Sequence, residues 1–386
     1  MELLGKIITT IIDGYGVAGV ALLALVVTLF IIQIVQLCRM LIIAKFKQTS
    51  RPQIRQIPPP VSVIVPLFGE DEEYLKGELR MLLSQSSPSY EVVVVYVGKE
   101  DAFYATLKHM RKFFHHLKTT QIDYTPQYPI TMKLALNIGI KSASYDHIIM
   151  TTPETCPTTR NWVEYMSRGF MYGDIVLGYC NWVQHKGLMN LFYRKYRLSE
   201  VRTYLAEAIR GRQYGASRNT LGFTKQLYFS VRGFDHLNLT AGEDDLFVQS
   251  IATKDNVSVL LASGAHCTEL QPASFHLWLT EIYRQGQTRK FYSQTARNAE
   301  SCELICRVAF FVAAIGALVV LPLELKAFVL LLIVARYVVM GVVNSKTAAR
   351  VGETKIAAWE PLFDFFEPWV RFVVRATQPK HIYKWR

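Results

Sequence analysis

Apolar positions follow two different rhythms along this chain. From Gly16 to Ile43 they are nearly continuous, and the run closes on Arg39, Lys45, Lys47, Arg51 and Arg55. It exceeds the roughly 20 residues that cross a hydrocarbon core. It is also longer than a signal-peptide core and shows no cleavage site, so it predicts a retained anchor. The basic cluster after it places the next segment in the cytoplasm by the positive-inside rule. Pro58-Pro59-Pro60 then forms a stiff spacer. Near the other end the continuous rhythm returns twice, from Leu304 to Leu323 and from Ala327 to Val343, around a short turn at Glu324 and Lys326. These two stretches predict a membrane hairpin. Lys346, Arg350 and Lys355 follow it, so all the basic flanks fall on one side. Arg336 lies inside the second stretch and requires a partner or a route to the interface. Trp359 to Val374 reads as a last helix at the membrane surface.

Between these ends the rhythm shortens. Val61 to Pro66 and Glu91 to Val97 are β-branched runs of the buried parallel type. Glu72 to Gln85, Ala102 to Leu117 and Met132 to Ala143 read as helices. A strand at His147 to Thr151, a helix at Thr158 to Met171 and a strand at Asp174 to Tyr179 follow. Gly187 to Ile209 is a longer amphipathic helix, and Val257 to Leu261 a further strand. Such alternation predicts an α/β sheet with ligands at the carboxyl ends of its strands. Phe275 to Asn298 mixes Trp278, Tyr283, Phe291 and Tyr292 with Arg284, Arg289, Lys290 and Arg297. That composition predicts a helix at the membrane interface.

Composition narrows the partners. Of 386 residues, 51% are hydrophobic and only 19% charged, and the net charge is +12. No Lys/Arg-rich run interleaved with aromatics appears, which argues against nucleic acid. Anionic lipid headgroups or a nucleotide diphosphate suit the charge better. The six cysteines are scattered without a CxxC pair, so no zinc site is predicted.

The densest chemistry sits in Leu239-Thr240-Ala241-Gly242-Glu243-Asp244-Asp245-Leu246-Phe247. Three adjacent carboxylates repel one another. A fold keeps such a cluster for a cation, for proton transfer, or as a solvated helix start that satisfies free backbone N–H groups.

Anchor, α/β region, acidic loop, basic-aromatic helix and terminal hairpin together resemble the membrane-bound family 2 glycosyltransferases, bacterial branch, which have the GT-A fold. The likeness runs from about Val61 to Tyr292. It is carried by Lys133-Leu134-Ala135-Leu136-Asn137-Ile138-Gly139-Ile140-Lys141, by Ile175-Val176-Leu177-Gly178-Tyr179, and by Gly233-Phe234 before the acidic loop. The closing His381-Ile382-Tyr383-Lys384-Trp385-Arg386 is similar to the tail of the bacterial branch. The resemblance implies a Rossmann-like cytoplasmic domain over residues 58–272, after an anchor and basic linker (1–57). An interfacial helix (273–300), a hairpin (301–345) and a tail (346–386) complete the expected organisation.

It also implies inverting transfer from a nucleotide sugar, such as a UDP-sugar, to a lipid-linked or polysaccharide acceptor. Asp244 is then the base that deprotonates the acceptor hydroxyl, with Asp245 as understudy and Glu243 beside them. Donor binding falls on Pro66, Glu70, Tyr96, Lys133 and Thr152, and a Mg2+ or Mn2+ ion on Glu154. Glu281, Arg284 and Gln285 face the acceptor or the diphosphate. Glu70 serves either the nucleotide pocket or a helix cap.

The chain departs from the family at three places. The second strand of the family ends in Asp-Asp, and here it reads Tyr96-Val97. Tyr96 offers a ring to stack on a base but no carboxylate. The family's Thr-Asp-x-Asp-Cys metal motif reads Thr151-Thr152-Pro153-Glu154-Thr155, leaving one acid. The family's QxxRW signature reads Glu281-Ile282-Tyr283-Arg284-Gln285, with only the arginine kept. The Gly-Arg-Asn segment before the acidic loop aligns poorly at Ser217-Arg218-Asn219-Thr220. Two functions therefore stay open. One is an active transferase with an altered donor site. The other is a catalytically silent scaffold or regulatory subunit, partnered with another protein of an envelope polysaccharide assembly. A transporter is disfavoured, because three spans with one internal charge make a poor pathway.

Overall fold

The computed structural model describes residues 2–47, 57–124, 130–234, 239, 241–353, 356 and 359–377. The similarity at His381 to Arg386 lies outside them. The chain forms two compact units. One comprises Met1–Lys45, Ser293–Ala349 and Thr354–Val373, and the other Phe46–Tyr292, Arg350–Glu353 and Val374–Arg386.

The chain begins with α1 (Glu2–Arg39), interrupted at Gly16 where φ is +67°, and α2 (Leu41–Lys45). Both belong to the first unit. The second unit then runs β1 (Val61–Phe68), α3 (Glu72–Lys76), α4 (Glu78–Leu83), β2 (Tyr90–Val97), α5 (Ala102–Met110), β3 (Leu117–Ile122), α6 (Met132–Ser142) and β4 (His147–Met150). It continues with β5 (Thr155–Pro157), α7 (Trp162–Gly169), β6 (Ile175–Leu177), β7 (Tyr179–Trp182), α8 (Leu188–Ile209), β8 (Leu221–Thr224) and α9 (Lys225–Ser230). It ends with α10 (Asp245–Ile251), β9 (Val257–Val259), β10 (His266–Glu269) and α11 (Phe275–Arg289).

The main sheet has the order β3-β2-β1-β4-β8-β6-β9. Its first four strands are parallel, while β8 runs antiparallel to both neighbours. β1 and β2 are buried along almost their whole length, which explains their unbroken Val-rich sequences. Pro66 pairs with Val95 on the β2 side. On the other side β4 is in register only as far as Ile64, so the missing N–H of Pro66 costs no ladder bond there. A smaller sheet, β5-β10-β7, sets Glu269 opposite Thr155 and beside Trp182.

Several predicted elements are divided. The helix expected over 72–85 breaks at Gly77 into α3 and α4. The helix expected over 102–117 stops at Met110, and β3 starts at Leu117. The strand expected over 174–179 splits at Gly178, so that β6 and β7 join different sheets. A Cβ at Gly178 would lie 2.9 Å from the Thr220 side chain, so only glycine fits between them. The helix expected over 275–298 ends at Arg289, and Ser293 caps the next one through its hydroxyl.

The first unit is completed by α12 (Gln294–Val320), α13 (Leu323–Arg350) and α14 (Glu360–Ala376). Gly16–Lys45, α12 and α13 are each long and apolar enough to cross a membrane. Val26, Leu29, Phe310, Ala313, Ala314, Ala317 and Val329 pack together at their contact. Arg307 and Arg336 each lie about 20 Å of helix from the turn between α12 and α13. The partner that Arg336 requires is found on α14, where Asp364 takes two hydrogen bonds at 2.6 and 3.0 Å, and on α1, where Gln33 accepts a third. Arg307 pairs with Glu303 and, at 2.6 Å, with Glu367, which also meets Arg371.

Candidate active site

The acidic loop enters α10 through Gly242, whose φ of +100° suits glycine. Glu243 and Asp244 are almost fully buried, at 1% and 2% exposure. Asp244 caps α10: its Oδ1 accepts the Asp245 N–H at 2.9 Å. Its Oδ2 lies 3.5 Å from Nη1 of Arg284. Asp244 is therefore a helix cap on one oxygen and presents the other to a cation.

Asp245 is held differently. Its Oδ1 accepts the Leu246 N–H, and its Oδ2 accepts the Thr288 and Tyr292 hydroxyls at 2.6 and 2.5 Å. Burial and the neighbouring Asp244 push its pKa up to about 7, against the pull of those hydroxyls. These bonds tie the loop to the end of α11 and leave Asp245 fully engaged. Glu243 lies 3.6 Å from Arg218, and its Oε2 has no hydrogen-bond partner among the described residues. Burial, then repulsion from Asp244, raises its pKa as well.

One face of α11 supplies the next layer, because positions three and four apart share a face. Nε and Nη2 of Arg284 fork onto Glu281 at 3.1 and 2.9 Å. Arg197 of α8 reaches the same carboxylate at 3.3 Å. Burial opposes ionisation of Glu281, but Arg284 and Arg197 outweigh it and hold its pKa at about 2. Gln285 accepts the Tyr196 hydroxyl at 2.8 Å.

A hydrogen-bonded array lies beside this layer. The Asn219 amide donates to Thr155 Oγ1 at 2.6 Å, to Glu269 at 3.1 Å and to Thr152 Oγ1 at 3.4 Å. Thr152 and Thr155 share a bond of 2.9 Å. Burial pushes Glu269 up to about 7, with Arg197 and Arg218 pulling the other way. Glu154 is exposed, and its carbonyl accepts the Leu270 N–H at 2.8 Å. Among the described residues no group of three His, Cys, Asp or Glu side chains is placed to hold a metal ion.

Pro66, Glu70 and Tyr96 form a second group at the ends of β1 and β2. Glu70 is exposed and follows Gly69, whose φ is +79°. The cap of α3 is Asp71, which accepts the Tyr74 N–H at 2.9 Å, so the capping role falls one residue beyond Glu70. Tyr96 is buried, stacked on Tyr104 with ring centroids 5.5 Å apart, and donates its hydroxyl to Asp101 at 2.9 Å. The Tyr104 N–H, the Tyr96 hydroxyl and Glu70 lower the pKa of Asp101. Lys133 is buried on α6.

The structure therefore joins Glu243, Asp244, Asp245, Glu281 and Arg284 in one network, sets Thr152 beside it and groups Pro66, Glu70 and Tyr96 at the ends of β1 and β2. Sequence reasoning missed Arg197, Glu269, Thr288 and Tyr292 as members. Arg218 and Asn219 stood in a segment that aligned poorly. Glu269 belongs to a strand too short to show a period.

The model of glycosyl transferase family 21 matches residues 27–384. The chain belongs to glycosyl transferase family 21. The motif resemblance pointed to family 2, and sugar transfer is what the two readings share. This family 21 chain also has the fold of a mannosyltransferase, PcManGT from Pyrobaculum calidifontis, solved in complex with GDP-Man and Mn2+. The TM-score is 0.56 and the identity 18%, over 89% of this chain and 99% of that one. S. aureus TarS 1–349 in complex with UDP-GlcNAc is also similar, with a TM-score of 0.42 and 16% identity over 83% and 93% of the two chains. No curated protein sequence matches this family 21 chain.

Proposed function

We propose that this chain transfers a sugar from a nucleotide sugar to a lipid-linked or polysaccharide acceptor at the cytoplasmic face of a membrane, with inversion. The observation that carries the reading is Asp244, buried, oriented by its capping bond and facing Arg284 with its second oxygen. In the proposed step the acceptor hydroxyl gives its proton to Asp244 Oδ2. The hydroxyl oxygen forms a bond to the anomeric carbon as the bond from that carbon to the diphosphate breaks, and the electron pair leaves with the diphosphate. Asp245, fixed by Thr288 and Tyr292, positions the loop and does not meet the acceptor. Three apolar helices support membrane attachment.

The donors seen with the structural relatives, GDP-Man and UDP-GlcNAc, make both nucleotides worth testing. The test is transfer by the full chain in lipid nanodiscs, using labelled nucleotide sugars and a membrane lipid extract. Product from one donor, lost in Asp244→Asn with donor binding intact, supports the proposal. Undiminished turnover in that variant removes Asp244 from the mechanism. Binding without transfer in the native chain favours the silent scaffold.

A further inference from the structure

The two faces of α14 are reversed. Glu360, Asp364, Glu367 and Arg371 recur at helical spacing on one face, and that face is turned inward: the three acids are at most 5% exposed. Leu362, Phe365, Phe366, Trp369, Phe372 and Val373 form the other face and all point outward, from 36% exposure at Phe365 to 65% at Phe372. A helix on a water-facing surface has the opposite arrangement. A helix lying at a membrane interface sends its charges to water. α14 sends its own to α12 and α13.

We propose that the outward face of α14 is a lipid contact: it packs against acyl chains in the half of the bilayer away from the α12–α13 turn, so α14 is an embedded part of the membrane unit and not a helix on its surface. The inference rests on the membrane attachment proposed above and is independent of the donor site.

Depth is the first support. Glu324 and Lys326 mark the turn as one boundary of a hydrocarbon layer about 30 Å thick. Arg307 and Arg336 lie about 20 Å of helix from that turn, so they stand inside the layer, roughly 10 Å short of its far boundary. Asp364 accepts both Arg336 bonds, at 2.6 and 3.0 Å, and Glu367 meets Arg307 at 2.6 Å, which fixes α14 at the same level. Phe365 reaches one helical turn further in, where its ring meets Phe311 of α12 edge-on with centroids 5.4 Å apart. Charge placement is the second support. Within hydrocarbon a charge needs a partner from the protein, and an apolar side chain needs none. Asp364, Glu367 and Arg371 all have such partners, and the outward face carries no charged side chain among those described. Continuity is the third. Val312 and Ile315 of α12 and Val334 and Val338 of α13 also point outward, so the helices that hold α14 present the same kind of surface. An apolar face of this extent marks a contact and not a wet surface.

The experiment reads Trp369 fluorescence in the full chain, reconstituted in nanodiscs whose acyl chains are brominated near mid-chain, or in plain nanodiscs with iodide in the water. The part of the tryptophan emission that disappears in Trp369→Phe belongs to this residue. Brominated chains are expected to cut that part about twofold or more, and iodide to leave it within about a tenth. Quenching by iodide places the face in water and overturns the inference, whatever bromine does. Resistance to both quenchers means that protein covers the face, a second copy of this chain included, and overturns it too. Release of the chain from membranes by alkaline carbonate removes the membrane attachment and the inference together. Should Trp369→Phe fail to fold, the emission added by Phe366→Trp is read in the same way.

Discussion

Two largely buried charge networks run through this protein, and they differ in how closely their members pair. In the smaller unit Arg307, Arg336 and Arg371 face Glu303, Asp364 and Glu367, one acid for each base. Most of their contacts are close, with Arg336 forked on Asp364 and bonded to Gln33 as well, while Arg307 Nε stands 3.6 Å from Asp364. In the larger unit Arg197, Arg218 and Arg284 meet Glu243, Asp244, Asp245, Glu269 and Glu281. Two of those arginine contacts stretch to 3.5 and 3.6 Å, and one Glu243 oxygen has no hydrogen-bond partner among the described residues. A buried ion pair is tolerated when every lone pair and proton is answered. The first network comes nearer to that condition, since each of its arginines has at least one close carboxylate, and it ties α14 to α12 and α13. The second is looser where Asp244 and Glu243 face their arginines, and its carboxylates with raised pKa values are of the kind that gather at functional sites.

The largest way to break the contrast is to remove one member of each network. Asp364→Leu should cost about 3–5 kcal/mol, because it strands Arg336 among apolar neighbours. Detergent-resistant folding, followed by thermal unfolding, should collapse. Combining it with Arg336→Met should restore most of the loss. Asp244→Asn should leave the unfolding temperature within a few degrees and reduce transfer by about 10²–10⁴-fold. A loss of fold in the second variant, or of activity alone in the first, would erase the distinction.

The next effect is on pH. Asp245 and Glu269 have folded values near 7, above their unfolded values. The folded state therefore holds more protons than the unfolded one between about pH 4 and 7, and their contribution to stability falls as pH rises through that window. Glu281 works in the opposite sense. Held at about 2, it adds stability above its unfolded value and loses it as pH drops below about 4. Unfolding temperature measured against pH should show the decline toward pH 7 in the native chain and a shallower one in Glu269→Gln. The smallest effect should come from Lys76→Gln. This lysine pairs with Glu72 at the surface, both side chains more than 70% exposed, and its loss should leave the unfolding temperature unchanged.

The sequence shows most where a single period dominates. The Val-rich β1 and β2, the apolar spans and the start of α11 were all visible, because burial on all sides leaves no polar interruption to misread. The acidic loop was visible by its charge. Of its three alternatives the helix start is seen at Asp244, which caps α10 with one oxygen, although the position is buried and not solvated. What stayed hidden depends on contacts distant in sequence. The small sheet has strands of three or four residues, too short for alternation to register. Its pairing of Glu269 with Thr155 is what brings Asn219 between them. Tyr96 looked like an open ring on a strand end. Only the return of Asp101 at the start of α5 accounts for its burial and its hydroxyl bond.

The shared position of Glu281 has a consequence for the empty site. Two guanidiniums that rest on one built-in anion never stand bare in the empty site. Their placement is set by a charge the chain itself carries, so this corner of the fold keeps its shape without a ligand to hold it.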